Sequence, residues 1–336
     1  MMVVLLFLGA LALLVTLLLF GFVGCSLDTM GLLDTTDYSA AVESTPGLVS
    51  YWRLGDSTPV PSATGAAHDE VVGNNGNYLT VPATATPDNL RYSPATAGMG
   101  TAGVTPGLLG NFPSDPCFET KGGYVQVPFT PQLNSLQFSF EAWVSPDPSI
   151  QNDGFFYCLV ESTGPPGLGP REIGWGLYLG PSAAGASDGP YWQVWMGSGP
   201  SLIPGPPPFN RVAIANGSDN PTQLRLTYLA LTFDASNNLQ LWLYYPDTNQ
   251  SLDVQHLRGA QNPSVTNFFQ NDSGDFFIGT GSNLFPTAGA PANRLYPFKG
   301  KIQEVAFYNN SLVGAAPTYN GLAQILGVHE ATGGNF

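Results

Sequence analysis

Between Leu48 and Tyr308 the chain returns repeatedly to short runs in which apolar residues, many of them aromatic, alternate with polar ones. Each run is closed by glycine, proline, asparagine or aspartate. A period of two sends successive side chains to opposite faces of a strand, so these runs read as half-buried β-strands joined by turns. Phe138-Ser139-Phe140-Glu141-Ala142-Trp143-Val144 is the clearest of them. Others are Leu48 to Leu54, Tyr124 to Pro128, Trp175 to Leu179, Tyr191 to Trp195, Phe276 to Gly279 and Ile302 to Tyr308. Tyr228 to Phe233 and Leu239 to Tyr244 flank Asp234-Ala235-Ser236-Asn237-Asn238, which is turn chemistry, and predict a hairpin. Gly (40) and Pro (30) make up about a fifth of the chain, near twice the usual share. The 12% aromatic content argues for many turns between short strands and against disorder. Two Pro/Gly/Ala-rich stretches, about 81–110 and 196–222, read as long loops. A short helix is expected at 319–331, where Leu322, Ile325 and Val328 recur at helical spacing.

The first 24 residues carry no charged side chain. Twenty-odd apolar residues in a helix span about 30 Å, the thickness of a bilayer core. The stretch ends Phe22-Val23-Gly24-Cys25-Ser26, which resembles a bacterial lipobox with Cys25 as the lipidated residue. Phe22 stands where that motif has Leu, and the segment lacks the Lys or Arg of a signal peptide. An uncleaved transmembrane helix with an incidental Cys25 is the competing reading. In both, the remainder lies outside the cytoplasm, because Asp28, Asp34 and Asp37 follow the segment and the first basic residue is Arg53. The expected location is therefore membrane-anchored and extracytoplasmic, periplasmic or at the cell surface. With Cys25 lipidated, Cys117 and Cys158 remain as a candidate disulfide in an oxidising compartment, two buried thiols being the alternative. The expected organisation is an anchor at 1–25, a polar tether at 26–46 and one domain over 47–336.

A net charge of −14 without a basic stripe excludes a nucleic-acid partner. Glycoside hydrolysis in a jelly roll needs paired carboxylates on one strand face, with an acid and a nucleophile about 5–5.5 Å apart in retaining enzymes. Asp69 and Glu70 are adjacent and face opposite ways, Asp272 and Asp275 sit in a turn, Glu141 stands alone, and Glu304 is followed only by the distant Glu330. The three His form no close ligand set, and no nucleophile elbow is present. The sequence thus predicts a protein that is not an enzyme.

The order of the strands resembles the laminin-G-like, concanavalin-A-like jelly-roll modules. The resemblance is carried by Gly47 to Leu54, Asp69 to Tyr78, Gly122 to Pro128, Phe138 to Val144, Leu229 to Asp234 and Phe298 to Asn309, in that order. Thr227-Tyr228 departs from the Trp-x-His common before the central hairpin. The resemblance implies an all-β fold of two antiparallel sheets packed face to face, preceded here by the N-terminal apolar helix, with one concave face available for ligands. Such modules often hold Ca²⁺, and Asp69 with Asn75 is the candidate cluster. If the Phe138/Phe140 side of its strand is core, Trp143 and Glu141 line the ligand face, and Trp195, on a face opposite Trp192, is the third candidate ligand-binding residue. The resulting expectation is a displayed module that binds a glycan or a protein partner. The alternative is an accessory subunit of a larger membrane complex, with the apolar N-terminus packed against other membrane proteins.

Overall fold

The structure, a computed structural model, describes residues 35–57, 65–80, 101–105, 107–109, 116–164, 171–181, 189–197, 199–200, 210–214, 224–244, 268–281 and 296–312. Cys25, the N-terminal apolar segment and the helix expected at 319–331 lie outside the described residues. Among the described residues one α-helix precedes the strands, α1 (Thr35–Ser44), within the segment expected to be a tether. The strands follow as β1 (Leu48–Trp52), β2 (Asn77–Thr80), β3 (Thr101–Val104), β4 (Cys117–Glu119), β5 (Gly123–Val127), β6 (Phe138–Pro146), β7 (Tyr157–Thr163) and β8 (Arg171–Glu172). Then come β9 (Gly174–Gly180), β10 (Tyr191–Met196), β11 (Gly199–Pro200), β12 (Asn210–Ile214), β13 (Thr227–Phe233), β14 (Leu239–Tyr244), β15 (Phe276–Ile278) and β16 (Gly300–Tyr308).

Two antiparallel seven-stranded sheets form the sandwich. Sheet I runs β14-β13-β6-β16-β4-β3, with β1 also paired to β16, and sheet II runs β12-β10-β9-β7-β15-β5-β2. The nine strands read from alternation are all present. The β13–β14 hairpin closes as its linker predicts: the Asp234 carboxylate accepts the backbone N–H groups of Ser236 and Asn238, at 2.8 and 2.9 Å, and Asn237 takes φ +62°. Strands β3 and β12 fall inside the stretches expected to be loops. Each is the edge strand of its sheet, where pairing on one side is enough and the alternating pattern is weakest.

The core lies between the sheets. Sheet I contributes Phe138, Phe140, Ala142 and Val144 from β6, Leu229 and Leu231 from β13, and Ile302, Val305 and Phe307 from β16. Sheet II answers with Trp175, Leu177 and Leu179 from β9, Trp192 and Val194 from β10, and Phe276 and Ile278 from β15. At the centre, the Phe138 and Trp175 rings stack with centroids 4.7 Å apart. Phe307 and Phe276 pack on the same indole at 6.4 and 6.3 Å. Such aromatic pairs add to their area burial through ring quadrupoles. Trp175→Ala is expected to lower the unfolding free energy by about 3–5 kcal/mol, read from the denaturant midpoint at unchanged slope.

Candidate functional site

The β6 alternation places Glu141 and Trp143 on the outer face of sheet I, away from the inter-sheet core, as expected. That face is not open. Tyr38 and Val42 of α1 lie over it with Leu108 and Leu109, in one cluster with Tyr51, Trp143, Tyr228, Trp242 and Tyr308. Trp143 and Glu141 are wholly buried. The expectation that they line an accessible ligand face is corrected by the helix, whose apolar residues find their partner on this sheet.

A bulge brings a second carboxylate to the same layer. On β16, Gln303 pairs with Trp143 and Ala306 with Glu141, so Glu304 and Val305 together oppose the single residue Ala142. Val305 turns into the core, while Gln303 and Glu304 both reach the outer face, with Glu304 held at φ +54°. Strict alternation would have sent Glu304 inward. The Glu141 carboxylate accepts the hydroxyls of Tyr228 and Tyr308. Glu304 accepts the Tyr51 hydroxyl and the Arg53 Nε–H, the latter at 3.3 Å. Burial first, then the nearby carboxylates, hold the Tyr38, Tyr51, Tyr228 and Tyr308 hydroxyls well above their ordinary value of 10.0. They stay protonated, and so remain donors, throughout the neutral range. Glu141 and Glu304 are therefore joined by the fold in a layer that their positions 163 apart do not suggest, but both are sealed from any substrate in this arrangement.

The outer face of sheet II is closed as well. Trp195 packs edge-on to Phe156 and Tyr178, beside Cys158, Phe277 and Tyr296, and is 7% exposed. Its separation from Trp192, which lies in the inter-sheet core, follows the strand period. A third buried acid, Glu161, accepts the hydroxyls of Tyr178 and Thr163 there. Gly281 passes so close that a Cβ on it would stand 2.5 Å from the Glu161 carboxylate.

The expected Cys117–Cys158 disulfide is not formed, and both side chains are buried thiols. Cys117 lies on the outer face of sheet I and Cys158 on that of sheet II, so the sandwich itself separates them. Burial pushes the Cys117 thiol up to about 11. The cysteine argument for an oxidising compartment falls with the bridge.

Asp69 does not fit a Ca²⁺ ligand. Its carboxylate accepts the backbone N–H groups of Tyr51 and Asn74 at 2.9 Å each, with Val71 and Val72 at 3.2 and 3.4 Å. Asn75 Oδ1 is taken by the Asp69 N–H at 2.8 Å. These donors present positive partial charge where a cation would need oxygens. The cluster instead ties the Asp69–Asn75 turn to β1. Among the described residues no group of three or more His, Cys, Asp or Glu is placed to hold a metal.

An open concavity lies elsewhere, at one end of the sandwich. A cleft of about 460 Å³ is walled by the β4–β5 turn (Lys121, Gly122), the end of β6 with the turn after it (Ser145 to Pro148), Tyr157, and the entry to β16 (Pro297 to Lys301). Gly300, at φ +151°, passes so near β6 that a Cβ would stand 2.4 Å from the Ser145 carbonyl oxygen. Its own carbonyl accepts the Thr120 N–H at 2.9 Å. The backbone between Lys299 and Lys301 is thereby clamped from two sides. Burial pushes the Asp147 carboxyl up, but the Ser149 N–H and side chain, with Lys299 and Lys121, outweigh it and hold Asp147 below its ordinary value. Sequence reasoning missed this cleft. Its lining comes from four separate turns and strand ends, and the one signal available was where the few lysines stand.

The Laminin_G_3 family model, described as the concanavalin A-like lectin/glucanases superfamily, matches residues 119–316. The chain belongs to this family. No curated protein matches it. Among solved structures it is similar to Trypanosoma rangeli sialidase, at 16% identity and a TM-score of 0.42, over 88% of this chain and 37% of that one. The botulinum neurotoxin serotype D/C VPI 5993 binding domain matches at 12% identity and a TM-score of 0.39, over 83% of this chain and 53% of that one. The chain thus spans about a third to a half of these structures' length. The sequence-based expectation that the chain is not an enzyme is corrected. The family takes in glucanases along with lectins, so membership in it does not exclude hydrolysis.

Because Glu141 is buried on two phenol donors, Tyr228→Phe is expected to cost about 1.5–3 kcal/mol of stability in chemical denaturation. Folded-state phenol values raised above 10.0 stabilise the fold fully below that pH and less as pH climbs past it, so the stability gap between the variant, which lacks the Tyr228 hydroxyl, and the unsubstituted protein should be full at neutral pH and narrow as pH rises above 10.

Proposed function

We propose that this protein is a membrane-anchored, extracytoplasmic glycan-binding module whose ligand enters the cleft at the end of the sandwich. The observation that carries the reading is accessibility: Trp143, Glu141 and Trp195 are buried under other parts of the chain, whereas the end cleft is open, of small-ligand size, and mixes prolines with polar groups. The family's lectin-like fold supports the ligand class. The uncharged residues 1–24 support the anchor, by a helix or by a lipid on Cys25. Among the described residues no helix is long and apolar enough to cross a membrane, and the apolar segment lies outside them.

Full-length protein in detergent, presented to an immobilised array of neutral and acidic oligosaccharides, should retain a defined subset. Ser145→Trp fills the cleft from a half-buried position in its wall and should abolish that retention while leaving the unfolding temperature within a few degrees. Binding that survives the substitution would move the ligand elsewhere. The intact mass of protein from its native membrane checks the anchor. Loss of residues 1–24 with added acyl mass on Cys25 is the outcome for a lipoprotein, and a full-length mass is the outcome for a retained helix. A soluble protein without either would end the membrane reading.

A further inference from the structure

The chain has three lysines in 336 residues, Lys121, Lys299 and Lys301, and all three line the end cleft. The protein around them carries a net charge of −14. Lysines that served only for solubility would be spread over the surface, as the seven arginines are spread along the chain. We propose that this cleft is selective for an acidic glycan, and that Lys299 and Lys301 hold the carboxylate or sulfate ester of the sugar. The inference rests on the glycan-binding reading above and names its ligand class.

The charges already present leave room for that anion. Lys121, itself exposed, is 2.8 Å from the partly buried Glu119 carboxylate. Glu119 also stands opposite Lys301 in the β4–β16 register. Asp147, the other acid in the wall, accepts the Ser149 N–H at 2.8 Å and is committed to the turn it caps. Lys299 donates to the neutral Ser149 hydroxyl at 2.8 Å. An ammonium has three N–H donors, so Lys299 and Lys301 keep donors for an incoming oxygen. Three lysines against two acids leave the cleft positive in a strongly acidic protein, and a concave positive site draws anions by focusing the field. The clamped Gly300 fixes the spacing of the two flanking lysines, while Pro146, Pro148 and Pro297 offer apolar wall to a sugar ring. Lysine, a compact charge on a flexible stem, suits an anion whose orientation is set by the ring it is attached to.

The test uses full-length protein in detergent and three probes in titration calorimetry: a uronic-acid oligosaccharide, the same oligosaccharide with its carboxylates reduced to alcohols, and a sulfated oligosaccharide. The acidic probes should bind at least about tenfold more tightly than the reduced one, with affinity falling as salt is raised. The double variant Lys299→Gln/Lys301→Gln should lose about tenfold or more toward the acidic probes and keep its affinity for the reduced one. Lys299→Arg/Lys301→Arg, which keeps the charge, should recover most of the loss and controls for folding. The uronic and sulfated arms show which anion the cleft takes. Equal binding of acidic and reduced probes would overturn this inference and leave the glycan-binding reading standing. A Gln variant that matches the unsubstituted protein would also overturn it. Binding of none of the three would overturn this inference, while the glycan-binding reading stands or falls on the oligosaccharide array.

Discussion

The structure depends on β16. It is the strand that joins the two parts of sheet I, pairing with β6 along one edge and with β4 and then β1 along the other. Without it, β14-β13-β6 would have no hydrogen-bonded link to β4 and β3 or to β1, and the backbone groups along these edges would need other partners. Its inward residues Ile302, Val305 and Phe307 fill the inter-sheet core, and Phe307 joins the stack of Phe138 and Trp175. The change of partner from β4 to β1 comes at the bulge, which also turns Glu304 outward.

One strand thereby organises two different chemistries. Its C-terminal part lies with the buried layer of Glu141, Glu304 and four tyrosines beneath α1. A carboxylate taken out of water is tolerable only with good donors around it, and the phenols, kept protonated by the same burial, supply them. The network ties β1, β6, β13 and β16 together beneath α1, which packs on it through Tyr38 and Val42. The entry to β16 places Lys299, just before the strand, and Lys301, within it, at the end cleft. Sheet I's outer face is covered by α1 with Leu108 and Leu109, and the outer-face residues of sheet II are buried, so the open cleft lies where strands end and turns begin. Turns are also where backbone strain such as that of Gly300 and Lys121 can be accommodated.

The strands were legible because each carries a period of two with large apolar residues, and the family resemblance was legible because its motifs keep their order. The Asp234 turn was legible for the same local reason. What could not be read was what lies on top of a strand. Phe138 and Trp143 are similar in character along the sequence, yet one packs against the other sheet and the other against a helix from a segment that looks like a polar tether. Glu304 looked solitary because a bulge, not a motif, brings it to the layer of Glu141. The two thiols looked like a pair because spacing says nothing of which side of a sheet each occupies.

By itself, then, the sequence determined the fold class and the inner face of each regular strand, since alternation and turn chemistry act over a few residues. It also determined the charge of the surface and the scarcity of lysine. Only the tertiary structure decided which outer faces are covered, which acids share a layer, that Cys117 and Cys158 stay apart, and that Lys121 shares one cleft with Lys299 and Lys301. These are consequences of pairing between strands far apart in the chain, where register, a single bulge and a docked helix set the outcome, and no local pattern encodes them.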